Sequence, residues 1–114
     1  MSFEKQVFND CIRLGDTWKL TVQFFESDGT TPIDLTGRVP RVQVRSTADA
    51  ATTLLDLTDG SGLAFTAASG LIEISTATAG ISEPGDYVWG LELGGSEVEE
   101  PVFGKFKVEQ DIVR

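Results

Sequence analysis

The sequence predicts an all-β fold, and two observations carry that prediction. Apolar residues recur at every second position in one segment after another, as they do in strands with a single buried face. Gly, Asp and Pro separate these segments at short intervals, and no stretch holds the 3.6-residue period of a three-turn helix. With 114 residues, 40% of them hydrophobic, the chain is expected to form one domain over residues 1–114. A chain of that length buries roughly 65% of its unfolded surface, enough for one real core.

A first strand region is expected at Val7 to Ile12. In the next segment Trp18, Leu20, Val22 and Phe24 alternate with Lys19, Thr21 and Gln23, which gives a half-buried strand. Ser27-Asp28-Gly29-Thr30 ends it with turn chemistry. Ile33 and Leu35 form a short apolar pair before Thr36-Gly37. Val42 and Val44 then face one way, and Arg41, Gln43 and Arg45 the other. Pro40 cannot donate to a ladder, so this strand either begins there or lies on an edge. Ser46 to Thr53 is small and polar and reads as a loop. Short strands follow at Leu54 to Thr58 and Leu63 to Phe65, separated by the Asp59-Gly60-Ser61-Gly62 turn.

Leu71 to Thr76 has Ile72 and Ile74 inward, with Glu73 and Ser75 outward. Thr76 to Ser82 is either a loop or a single helical turn. Pro84-Gly85 suits the two central positions of a type II turn. The clearest strand comes next, with Tyr87, Trp89, Leu91 and Leu93 on one face and Val88, Gly90 and Glu92 on the other. Gly94-Gly95 is a two-residue hairpin signal. Its register would set Leu93 against Ser96, Leu91 against Val98 and Tyr87 against Val102, with Gly104, Phe106 and Val108 continuing the apolar face. That register also puts Glu100 inside, opposite Trp89, unless a bulge near Pro101 turns it outward. The elements together predict an antiparallel immunoglobulin-like β-sandwich of seven to eight strands. The likeness is architectural, because the cysteine–tryptophan–cysteine spacing of antibody domains is absent.

Nine basic and 18 acidic side chains leave a net charge of −9, which argues against a nucleic-acid binder and its basic footprint. The chain has no histidine, which removes Ser-His and Cys-His catalysis and most zinc sites. Cys11 is alone, so no internal disulfide can form, and it reads as a small core or half-buried residue. The apolar runs are far shorter than the roughly 20 residues that span a bilayer, and no signal-peptide pattern follows Met1. A soluble protein made in a reducing cytoplasm is expected. Glu97, Glu99 and Glu100, with Asp56 and Asp59, read as a solvated acidic rim rather than a glycosidase pair or a calcium loop. No catalytic, cofactor or metal residues are expected, and no enzyme.

Two features remain as candidates for binding. Arg41, Gln43 and Arg45, with Arg38 nearby, form a positive stripe on an acidic protein: either an ordinary solvent face or a dock for an acidic partner, another copy included. Phe25 and Phe103 are out of phase with the core. If exposed together with Val88 they make an apolar interface patch, and otherwise they are buried under a loop or the N-terminal segment. The candidate interface is thus Phe25, Arg41, Gln43, Arg45, Val88 and Phe103. A carbohydrate-binding module is an alternative that would need Trp18 and Trp89 on the surface.

Leu14-Gly15-Asp16-Thr17-Trp18, Pro32-Ile33-Asp34-Leu35-Thr36-Gly37, Pro84-Gly85-Asp86-Tyr87 and Gly104-Lys105-Phe106-Lys107-Val108 occur in that order. In order and spacing they resemble the small immunoglobulin-like proteins of tailed phages and prophages, related to the N-terminal domains of baseplate upper proteins. The likeness runs from about Arg13 to Val113. Pro40 departs from it, standing where similar sequences carry an apolar residue. The resemblance implies a virion structural protein, assembled in the host cytoplasm, at the tail or baseplate. Its partners would be other tail or baseplate proteins or further copies of itself, with no nucleic acid, membrane or cofactor. A capsid decoration protein or an assembly helper is the neighbouring alternative. Relatives of the baseplate type continue into a longer region, so a chain ending at Arg114 would be a stand-alone module.

Overall fold

Period-2 alternation becomes strands throughout. The structure is a computed structural model that describes residues 6–95 and 97–110. Nine strands occur among them: β1 (Gln6–Val7), β2 (Asp10–Arg13), β3 (Trp18–Gln23), β4 (Val39–Arg45), β5 (Leu55–Asp59), β6 (Gly62–Thr66), β7 (Leu71–Thr76), β8 (Gly85–Gly94) and β9 (Glu99–Glu109). The described residues contain no α-helix, and a single 3₁₀ turn at Ala67–Ser69 precedes β7. Sheet order is β1-β9-β8-β4-β5-β6-β7-β3, with β2 also on β9.

The sheet is mixed, which corrects the purely antiparallel expectation. β1 and β2 run parallel to β9, from Gln6 opposite Val102 to Arg13 opposite Glu109. β5 and β6 are also parallel, although only Gly60 and Ser61 separate them, and they share just two residue pairs. The other pairings are antiparallel. Alternation reveals which face of a strand is buried but not its direction, so sequence patterning could not expose the parallel pairs.

The sheet curls so that its ends face each other. Trp18 of β3 packs on Phe106 of β9 at a centroid distance of 4.7 Å and edge-on to Trp89 of β8 at 5.7 Å. The indole N–H of Trp18 donates to Asp10 Oδ2 at 2.7 Å, joining β3 to β2. Val42, Val44, Ile72, Leu91, Leu93 and Phe106 are fully buried between the two ends. Each such side chain contributes roughly 1.5–3 kcal/mol relative to exposure. β1 and β2 are one edge strand interrupted at Phe8-Asn9. There the Phe8 carbonyl dips over Gly104, where a Cβ would overlap it, and accepts the Trp89 indole N–H at 2.8 Å.

Most alternation readings hold: Trp18 to Phe24, Val42 and Val44, Ile72 and Ile74, and Trp89 to Leu93 face as expected. Three details differ: the β8–β9 register, Gly85 and Cys11. The β8–β9 hairpin does not turn at Gly94-Gly95: Leu91 pairs with Val102 and Trp89 with Gly104, four residues from the predicted register. A bulge between the Leu91–Val102 and Leu93–Glu99 pairs turns Glu100 outward, at the place where Pro101 suggested one. β4 begins at Val39, beside Pro40, which meets the first of the two alternatives, and it is interior, flanked by β5 and β8; its ladder to β5 starts only at Arg41, so the missing donor is not required on that side. Gly85 is the first ladder residue of β8 rather than a turn centre, and the nearby turn is closed by Ile81 N–H to the Thr78 carbonyl at 3.0 Å. Cys11 is exposed rather than core or half-buried, because β2 is an edge strand with that residue on its outer side.

Candidate functional site

Register assembles the site. On the outer face Arg41 lies beside Glu92, Gln43 beside Gly90, and Arg45 beside Val88. One strand further, Gly90 pairs with Phe103. Outward residues of three neighbouring strands therefore share one patch. They line a depression of about 550 Å³ together with Ala48 and Glu100. Its floor depends on Gly90: a Cβ there would overlap the Glu100 carboxylate, which the bulge has turned onto this face. Val88 and Phe103 are half-buried and supply its apolar part.

The polar row is ordered in advance. Arg41 donates from Nε to Asp56 Oδ1 at 2.8 Å and from Nη2 to Asp56 Oδ2 at 2.6 Å. This two-pronged bond holds the Asp56 carboxyl below its ordinary pKa and raises that of Arg41. Arg45 donates from Nη2 to Gln43 Oε1 at 2.9 Å and from Nη1 to the Ala50 carbonyl, pinning the loop after β4. Arg38 belongs elsewhere. It donates to the carbonyls of Gly94 and Leu93, each at 3.0 Å, and pairs with Glu99 at 3.2 Å, so it clamps the β8–β9 connection.

Five of the six residues singled out from the sequence are thus brought together: Arg41, Gln43, Arg45, Val88 and Phe103. Phe25 is not among them. It is 42% exposed and bridges Pro32 beyond the end of β3, which corrects its grouping with Phe103. Gly90, Glu92 and Glu100 were missed. An isolated glycine inside an otherwise clear strand was the available signal, since it marks close approach by a neighbour. Trp18 and Trp89 are 1% and 3% exposed, so neither offers the stacking surface that a sugar-binding reading needs.

The recess combines two arginines, two glutamates and an amide with the apolar residues Ala48, Val88, Trp89 and Phe103. Chemically, such a lining can offer charge placement and apolar contact to another surface. It contains no nucleophile paired with a base. Among the described residues no group of three or more Cys, Asp and Glu is set to hold a metal ion. No helix among them is long and apolar enough to cross a membrane. Neither the protein-family models nor the curated proteins compared with this chain match it.

Proposed function

We propose that this protein is a non-enzymatic structural component of a phage or prophage particle, at the tail or baseplate, and that it docks another particle protein through the β4–β8–β9 outer face. The observation that carries the reading is the convergence of Arg41, Gln43, Arg45, Val88 and Phe103 on one recess whose polar groups are already held in position. These residues do not build the core, and a preformed mixed surface lowers the ordering cost of association.

An immunoglobulin-like sandwich is proposed with it. β9-β8-β4-β5 and β6-β7-β3 would be its two layers, joined by the two-pair β5–β6 contact. Two details favour it. Tyr87, near the start of β8, donates its hydroxyl to the Glu83 carbonyl at 2.6 Å, in the manner of the tyrosine corner of such sandwiches. Trp18 and Trp89 meet on β3 and β8, the strands that would correspond to those a disulfide joins in antibody domains.

The test is density-gradient fractionation of particles from cells carrying the gene, with mass spectrometry for this chain. Co-migration with tails or whole particles is expected, and Phe103→Glu should abolish it while the purified variant keeps its circular dichroism. A chain found only in the soluble fraction contradicts the proposal and moves an assembly helper ahead.

A further inference from the structure

The two edges of the sheet differ in how they are protected. At one end β1 and β2 are two and four residues long, broken at Phe8-Asn9, where Asn9 Oδ1 accepts the Lys105 N–H at 2.9 Å. A short, broken edge is a poor template for another strand. At the other end β3 is continuous for six residues, contains no proline, and pairs with β7 alone among the described residues. Its ladder is unbroken from Trp18–Thr76 to Gln23–Leu71.

The phase of that ladder follows from one bond just past its end. The Phe24 N–H donates to the Gly70 carbonyl at 2.9 Å, in step with the Gln23–Leu71 pair. Because backbone groups alternate in direction along a strand, those of Val22, Leu20 and Trp18 also point to β7. The N–H and C=O groups of Lys19, Thr21 and Gln23 therefore point away from the sheet. All three side chains are exposed on the outer face.

We propose that this edge pairs with β3 of a second copy, antiparallel about a twofold axis through Thr21. The register matches itself. Thr21 meets Thr21 of the second copy, and Lys19 meets Gln23 of the second copy, so every outward backbone group of these three residues finds a partner. The single charge on the edge faces an amide rather than its own kind, which like-signed pairing would penalise. On the inner side Leu20 meets Val22 of the second copy, apolar against apolar. Such an isologous contact closes at two chains and leaves the β4–β8–β9 recess open on each. The inference stands on the edge geometry and is independent of which particle the protein serves.

The test is sedimentation equilibrium of the full chain over about 1 μM to 1 mM, together with amide hydrogen exchange. Expected is a shift from 12.3 kDa to twice that mass, with the Lys19, Thr21 and Gln23 amides gaining protection as the dimer fills. Thr21→Lys sets like charges across the axis on exposed side chains and should weaken the dimer at least about tenfold. Thr21→Pro removes an outward donor that β7 does not use and should abolish it. A chain that stays monomeric throughout, a dimer indifferent to Thr21→Lys, or protection of these amides in a monomer would each overturn the proposal.

Discussion

Removing the Trp18 side chain tests the curl of the sheet most severely. Trp18 is 1% exposed and touches both Trp89 and Phe106, so it joins β3 to the strands at the far end of the sheet. Trp18→Ala should cost about 3–5 kcal/mol in lost burial and cavity formation. Leaving the Asp10 carboxylate without the indole N–H now 2.7 Å away should add ~1 kcal/mol. The sum, about 4–6 kcal/mol, is a large share of the roughly 6–17 kcal/mol expected for a domain of 114 residues. Trp18→Phe keeps an aromatic ring against Phe106 but loses the donor, and should cost ~1–2 kcal/mol. Urea unfolding followed by far-UV circular dichroism reads both variants, provided the slope with denaturant stays unchanged. A Trp18→Ala cost below ~1 kcal/mol would refute the packing of β3 against β8 and β9.

Three further predictions concern ionisable groups. Asp28 is held down to about 2 by the Thr31 hydroxyl and the Thr30 and Thr31 amides, and Asp34, Asp56 and Glu109 are also lowered by hydrogen bonds. Carboxyls lowered by folding stabilise fully above the unfolded value, near ~4, and lose that contribution as pH falls through the folded value. The urea midpoint should therefore decline from about pH 4 towards pH 2, and a constant midpoint over that window would contradict these bonds. Arg41→Ala should raise the Asp56 pKa in an NMR titration yet change stability by less than ~1 kcal/mol, because the pair is largely exposed; an unmoved pKa would contradict the assignment. The Cys11 thiol donates to Glu109 Oε1 at 2.9 Å, which raises its pKa. Disulfide reagents should label it more slowly than free cysteine at neutral pH, and Glu109→Gln should speed the reaction; full-rate labelling of the unaltered chain would contradict the bond.

Much of the candidate site was legible because face parity survives a sliding register. The β8–β9 pairing lies four residues from the one suggested by Gly94-Gly95, and four is an even number of pleats. Phe103 accordingly stays outward and Phe106 inward, and only the partners change. Where the shift is odd, at the Glu100–Pro101 bulge, alternation fails, and Glu100 becomes part of the recess. Long-range facts had no local signal. Nothing in Cys11 and its neighbours announces that β2 lies parallel on β9, so the exposure of Cys11 was invisible. Phe25 was misgrouped for a similar reason: phase tells which face a residue takes, not which part of a curled sheet carries it.

The most direct test of docking through the outer face is a photo-cross-linking residue at position 103, with one at Asp28 as a control on a distant turn, followed in purified particles. A cross-link from position 103 to another particle protein is expected, lost when Val88 is changed to Lys, and none from position 28. Equal capture from both positions, or none from position 103 in particles that contain the chain, would contradict it.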